Sequence, residues 1–212
     1  EAPAPHHPSE PVEQPPAEDQ PHDPPPVLLS IPLKGSIDPD QGGGPTQAEG
    51  VVVEGDSVDF TEQAQYTLPS AGHVDGGQGA ISFDVQPHWD GSDPTNNSLL
   101  QIRDENLWAN NLQIVKNLDS LRFIIIDSTG VESDVNIYIR DWQPDQAHQI
   151  TATWGNATMT LYVDGEAVGQ NTLTNYPKFS DTTPIHVGSD FPGSQYNGAN
   201  GVISNLTIYG RP

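Results

Sequence analysis

In the stretch Gly79-Ala80-Ile81-Ser82-Phe83-Asp84-Val85-Gln86-Pro87, Ile81, Phe83 and Val85 fall on one side and Ser82 and Asp84 on the other. A period of two marks a strand buried on a single face. The same short rhythm, broken by Gly, Asn, Asp and Pro, runs through most of the chain. It predicts strands at 51–54, 57–60, 65–68, 80–86, 98–102, 113–115, 121–126, 136–140, 148–154, 158–163, 184–187 and 202–209. Asp164-Gly165, directly after Leu161-Tyr162-Val163, is a two-residue hairpin turn. No segment carries a helical period; residues 104–116 come nearest, and the Asn110-Asn111 pair counts against a helix there. The chain is therefore expected to be all-β, an antiparallel two-sheet sandwich.

The N-terminal part has a different composition. Residues 1–26 contain ten Pro and six acidic residues, and no Lys, Arg or aromatic residue. Alone, such a segment buries too little apolar surface to offset its ordering entropy, so it reads as an extended, acidic arm. Val27-Leu28-Leu29-Ser30-Ile31-Pro32-Leu33 follows, the most apolar stretch of the first half. Pro32 has no ladder donor, which makes this an edge or terminal strand. Residues 38–45, with Gly42, Gly43 and Gly44, read as a hinge. The expected division is an arm (1–26), an apolar strand with its hinge (27–45) and the sandwich domain (46–212).

Charge and composition narrow the partners. With 29 acidic against seven basic residues the formal net charge is −22. Nucleic acid needs Lys and Arg to displace its counterions and is not an expected partner; anionic membrane surfaces are disfavoured likewise. No apolar run approaches the ~18 residues of a membrane span, so no membrane insertion is expected. The chain has no Cys, hence no disulfide framework and no thiolate metal site. Its one Met is Met159, and Glu1-Ala-Pro-Ala-Pro reads as a mature N-terminus after signal-peptide removal. A secreted or cell-surface protein, of bacterial type, is the expectation.

Several segments resemble a known family. The 79–87 strand resembles the "G-t-i-s-F-w-v-k-P" strand of laminin-G-like domains in the concanavalin A-like lectin/glucanase superfamily. Trp142 followed by His148-Gln149-Ile150-Thr151-Ala152-Thr153-Trp154 resembles that group's "W…H-I-a-v-T-W" element, and Leu161-Tyr162-Val163-Asp164-Gly165 its "L-Y-V-D-G" hairpin. Residues 185–190 and 201–209 resemble its closing strands, except that Ser204 and Asn205 stand where an acidic residue is usual. The likeness covers residues 46–210. It implies a jelly roll with Trp142 and Trp154 in its core, and it leaves function open, since the group includes binding modules, adhesion domains, enzymes and spacers.

Among chemical constellations, Glu54-Gly55-Asp56-Ser57-Val58-Asp59 approaches the E-x-D-x-x-E carboxylates of retaining glucanases on this fold, whose chemistry needs two carboxyl groups about 5–5.5 Å apart. Asp59 replaces the last Glu, and a turn between two short strands is the favoured reading, so no enzyme is expected. His6, His7 and His22 are read as solvated arm residues, and His148 as packed. Calcium takes six to eight oxygen ligands, usually from loops; residues 90–97 offer Asp90, Asp93 and Asn96. For stacking on sugar rings the candidates are Trp89, then Trp108 and Tyr196. Asn96, Asn156 and Asn205 begin N-x-S/T triplets.

Two roles are compatible with this reading. In one, the protein is a non-catalytic structural subunit of an extracellular filament or surface assembly. The arm and the strand bearing Val27, Leu28, Leu29, Ile31 and Leu33 then dock on a neighbouring copy, head to tail. In the other, the sandwich is a carbohydrate-binding module and the arm its linker.

Overall fold

The computed structural model describes residues 24–40, 44–104, 108–190 and 194–212; nearly all of the Pro-rich arm and residues 41–43 of the hinge lie outside these. The described residues form thirteen strands and no helix. In chain order they are β1 (Val27–Ile31), β2 (Gln47–Glu54), β3 (Ser57–Pro69), β4 (Gly79–Pro87), β5 (Asn96–Ile102), β6 (Asn111–Asn117), β7 (Ser120–Ile126), β8 (Glu132–Tyr138), β9 (His148–Gly155), β10 (Thr158–Val163), β11 (Glu166–Thr172), β12 (Pro184–Val187) and β13 (Gly201–Tyr209). All paired neighbours are antiparallel.

Hydrogen bonding runs without a break in the order β11-β10-β9-β4-β13-β3-β12-β5-β6-β7-β8, with β1 added on β13 and β2 on β3. The continuous sheet folds over at β3. Its first half pairs with β13 through Asp59 and Phe60, and its second half pairs with β12 through Thr67, Leu68 and Pro69. One strand thus belongs to both layers of the sandwich. The two ends of the order also meet, where Asn171 Nδ2 of β11 donates to the Asp134 carbonyl of β8 at 2.8 Å. Gly169 permits that approach, since a Cβ there would lie 2.4 Å from Val135 Cγ1.

The core lies between the layers. Ile81, Phe83, Trp154, Ile203 and Ile208 face Tyr66, Leu100, Ile114, Phe123 and Ile125, all buried in one cluster. The alternating residues of 79–87 do form β4, with Ile81, Phe83 and Val85 inward. Three expectations change. The separate strands at 57–60 and 65–68 are one strand, because β2 follows β3 across both halves through a bulge at Gly50 (φ 64°). The strand expected at 113–115 is longer, β6 covering Asn111–Asn117. The strand expected at 136–140 runs at Glu132–Tyr138.

The apolar N-terminal strand is seated in its own sandwich. β1 pairs with β13 through Leu29↔Ile208, Ser30↔Thr207 and Ile31↔Leu206. Leu29, Ile31 and Leu33 are buried in the main core, while Val27 is 41% exposed and Leu28 half-buried. The connection onward is tied down as well: Asn205 N–H donates to the Pro32 carbonyl at 2.8 Å, and the buried Tyr66 hydroxyl to the Ile37 carbonyl at 2.6 Å. Leu29, Ile31 and Leu33, expected to dock on a neighbouring copy, fill the core of their own chain here. The gain from burying three of them, roughly 1.5–3 kcal/mol each, is realised within one molecule.

Candidate binding groove

The second layer has an unusual outer face. In β6, Leu112, Ile114 and Lys116 point inward, so Asn111, Gln113, Val115 and Asn117 point out. In β7 the run Phe123-Ile124-Ile125-Ile126 does not alternate in polarity, and Ile124 and Ile126 join the outer face. Register places Gln113 beside Ile124 and Asp134, Val115 beside Arg122 and Asn136, and Asn111 beside Ile126 and Glu132. Val115, Ile124 and Ile126 form a second apolar cluster, and Tyr196 packs on it.

Above this floor lies a groove of about 340 Å³ whose walls include Trp108, Tyr196, Arg103, Arg122 and Gln113. Trp108 is 62% exposed. Its indole N–H donates to the Gly130 carbonyl at 3.2 Å, which holds the ring at the β7–β8 turn. That turn is braced by Asp127, whose Oδ1 accepts from Thr129 N–H and hydroxyl at 2.7 Å each and from Val131 N–H at 3.1 Å. Burial opposes the Asp127 charge, and these donors outweigh it, holding its pKa below the ordinary carboxylate value. Tyr196 is placed by its neighbour: Asn197 N–H donates to the Asn96 carbonyl, and Ser98 N–H to the Asn197 carbonyl, at 2.9 Å each. Arg122 donates from Nε and Nη2 to Asp134 (3.1 and 2.7 Å) and from Nη2 to Glu132 (2.9 Å). Burial works against its charge, and the two carboxylates more than offset that.

The groove continues into a second hollow of about 240 Å³, which shares Asn117 and Arg122 with it and is edged by Leu118 and Tyr138. Tyr138 is 73% exposed, with the Arg140 guanidinium 4.8 Å from its ring centre. Along β6 the two hollows extend from the level of Asn111 to that of Asn117, about 20 Å at strand rise. A larger hollow of about 690 Å³, around Val74, Ser128 and Tyr176, is less suited to a ligand. Its rings Tyr176 and Phe179 pack on the core, and the Tyr176 hydroxyl is committed to Ala157 N–H at 2.6 Å.

Of the three aromatic residues proposed for sugar stacking, Trp108 and Tyr196 share this groove and Trp89 does not. Trp89 is 2% exposed, so a sugar ring has no access to its face, and its proposed role is corrected. Its ring stacks on Trp142 (centroids 6.2 Å, planes 6° apart), Trp142 stacks on His148 at 3.9 Å, and His148 Nδ1 meets Asp164 Oδ2 at 2.8 Å. The sequence reading missed Arg103, Gln113, Asn117, Arg122 and Tyr138. The signal was present in the unbroken apolar run 123–126, which implies cover on both faces of β7.

One side-chain oxygen of each residue proposed for calcium accepts a hydrogen bond within the loops. Asp90 Oδ1 accepts from Ser92 N–H and hydroxyl (2.8 and 2.6 Å), Asp93 Oδ1 from Thr95 N–H (3.1 Å), and Asn96 Oδ1 from Leu118 N–H (3.0 Å). No group of three or more His, Cys, Asp or Glu side chains able to hold a metal is found among the described residues. The near-glucanase carboxylates are divided by a hairpin: Glu54 ends β2, Gly55 (φ 58°) and Asp56 make the turn, and Asp59 lies on β3. Asp59 Oδ2 accepts from His88 Nε2 at 2.7 Å, and Asp145 Oδ1 meets His88 Nδ1 at 2.7 Å. The hydrogen bond to Asp59 is the main cause that raises the His88 pKa above its ordinary 6.5; burial opposes it and Asp145 adds to it.

Residues 60–212 match the family model of the concanavalin A-like lectin/glucanases superfamily, laminin-G type, and the chain belongs to that family. No curated protein sequence matches it. Among solved structures it is similar to the receptor-binding domain of botulinum neurotoxin D (TM-score 0.68, 11% identity, 87% of this chain and 49% of that one). It is also similar to the binding domain of botulinum neurotoxin serotype G (0.65, 13%, 87% and 48%). Domains LG4-5 of the mouse laminin alpha1 chain give a TM-score of 0.57 at 11% identity, over 78% of this chain and 44% of that one. The chain thus spans about half the length of these proteins, and at such identities the likeness is one of fold.

Proposed function

We propose that the protein is a non-catalytic glycan-binding module, acting outside the cell, and that the Trp108–Tyr196 groove is its binding site. The observation that carries this is the exposed Trp108 ring, braced at a turn, beside a floor that mixes apolar side chains with amides and arginine. A pyranose offers an apolar C–H face and a rim of hydroxyls. Trp108 and Tyr196 suit the first; Gln113, Asn117 and Arg122 suit the second. The continuation toward Tyr138 over about 20 Å of β6 favours an internal stretch of a linear saccharide over a single terminal sugar. The fold is also that of solved receptor-binding domains, which supports a binding role. The assembly reading loses its main support, since the strand it relied on is occupied in its own core.

The test is a glycan array probed with wild-type protein and Trp108→Ala, followed by calorimetry on oligosaccharides of increasing length from the strongest hits. An aromatic hot spot contributes about 2 kcal/mol, so Trp108→Ala should weaken binding about 30-fold. Its melting temperature should stay the same, because the ring is exposed. Saccharide binding that Trp108→Ala leaves untouched would place the site elsewhere, and an array without hits would end the glycan reading.

A further inference from the structure

Beside the 90–97 loop a buried side chain brings its positive charge among backbone carbonyls. Lys116 points inward from β6, alongside Leu112 and Ile114, and is 0% exposed. Its Nζ donates to the carbonyls of Asp93 at 2.6 Å and Thr95 at 2.8 Å, and to that of Leu118. These three bonds use the full donor capacity of an ammonium group. On another side the Nζ stands 5.2 Å from the centre of the Trp89 ring, a cation–π arrangement in which Trp89 is in turn backed by Trp142. Burial holds the Lys116 pKa below the ordinary ammonium value, and the carboxylates of Asp93, Asp119 and Asp90 offset only part of that.

A set of inward carbonyls with carboxylates behind them is the chemistry by which loops hold hard cations. We propose that the 90–97 loop and the β6–β7 turn form a cation site whose resident is the chain's own Lys116 ammonium, so that this rim holds its shape without metal. Trp89 is then the lid of that cation. The position on β6 explains how the charge is delivered: a core-facing strand residue supplies a long apolar stem through the packed layer, and only its tip emerges among the carbonyls. Asn117, the next residue, faces the groove and lines it, so the tethered cation also fixes the strand that carries a groove wall. The inference does not depend on what the groove binds.

Removing the stem and tip together should open a hole for a small organic cation of the same shape. Purified protein is melted in EGTA, in calcium chloride, and as Lys116→Ala with methylammonium chloride or tetramethylammonium chloride at equal ionic strength. Wild-type protein should melt at the same temperature in EGTA and in calcium. Lys116→Ala should melt lower by about 5 °C or more, and methylammonium should recover part of that loss where tetramethylammonium does not. If Lys116→Ala does not fold, Lys116→Met, which keeps the stem and removes the charge, takes its place and should show the same fall without rescue. A wild-type melting temperature that rises in calcium by several degrees would overturn the proposal. So would an alanine or methionine variant as stable as wild type, or equal recovery by both organic cations.

Discussion

Replacing Leu29 by Ala tests whether β1 is an integral part of its own domain. Leu29 is buried, pairs with Ile208 of β13, and belongs to the main core together with Ile31 and Leu33. Truncating a buried Leu to Ala removes its transfer free energy and leaves a cavity, together about 2–5 kcal/mol. A domain of this size shifts by about 2–4 °C per kcal/mol, so Leu29→Ala should lower the melting temperature by roughly 4–20 °C. Adding Ile31→Ala removes the next inward side chain of the same strand. The two changes share a cavity and need not add, yet together they approach the whole stability of about 5–15 kcal/mol expected for a domain. Val27→Ala is the control: the side chain is 41% exposed, and its change should stay within about 0.5 kcal/mol. Urea unfolding followed by tryptophan fluorescence reads all of these as midpoint shifts at constant slope. Strand exchange between copies would make the midpoint depend on protein concentration. Hence a wild-type midpoint that moves on hundred-fold dilution, or a Leu29→Ala midpoint equal to wild type, would refute an intramolecular β1.

Two further outcomes follow from the geometry. His88 bridges Asp59 and Asp145 through both ring nitrogens, which requires the doubly protonated ring. Its pKa is raised on folding, so its contribution to stability is complete below about pH 6.5 and is lost as pH rises through the higher folded value. Melting curves from pH 5 to 9 should show that decline, and His88→Gln should flatten it; an identical pH profile in the variant would remove the bridge from the account. Gly91→Ala should destabilise by about 3 kcal/mol or more, because a Cβ there would lie 1.7 Å from the Ile139 carbonyl oxygen. Gly165→Ala, at a turn with no atom within 4 Å, is the comparison that isolates backbone strain from collision; equal midpoints for the two variants would contradict this reasoning.

Much of the fold was legible because its strands alternate in polarity. β4, β9 and β10 carry one apolar face each, and the hairpin turn at Asp164-Gly165 joins β10 to β11. β11 itself, Glu-Ala-Val-Gly-Gln-Asn-Thr, has too little apolar side chain to announce a strand; it is held by β10 and by contact with β8. β3 was read as two strands because Thr61-Glu62-Gln63 is polar, and the switch of a strand between layers leaves no local mark in composition. Of the groove, Trp108 and Tyr196 were visible as aromatic residues beside loops. Arg122 and Gln113 were not, since their role depends on cross-strand register. Trp89 was misread for a related reason: a tryptophan next to an acidic loop looks accessible until the loop is known to close over an ammonium from another strand.

The place of β13 in the order has a consequence for how the domain is made. It lies between β4 and β3 and also carries β1, yet it follows all three in the chain. β1 and β13 are separated by some 175 residues of sequence, and β4 and β13 by more than 110. The centre of the first layer is therefore synthesised after the strands that flank it. Until it arrives, β4 has an unpaired edge and the buried side of β1 has no partner. Such topologies fold slowly, because loop closure over long separations precedes the contacts that reward it. A nascent chain of this kind is exposed to mispairing until β13 has been made.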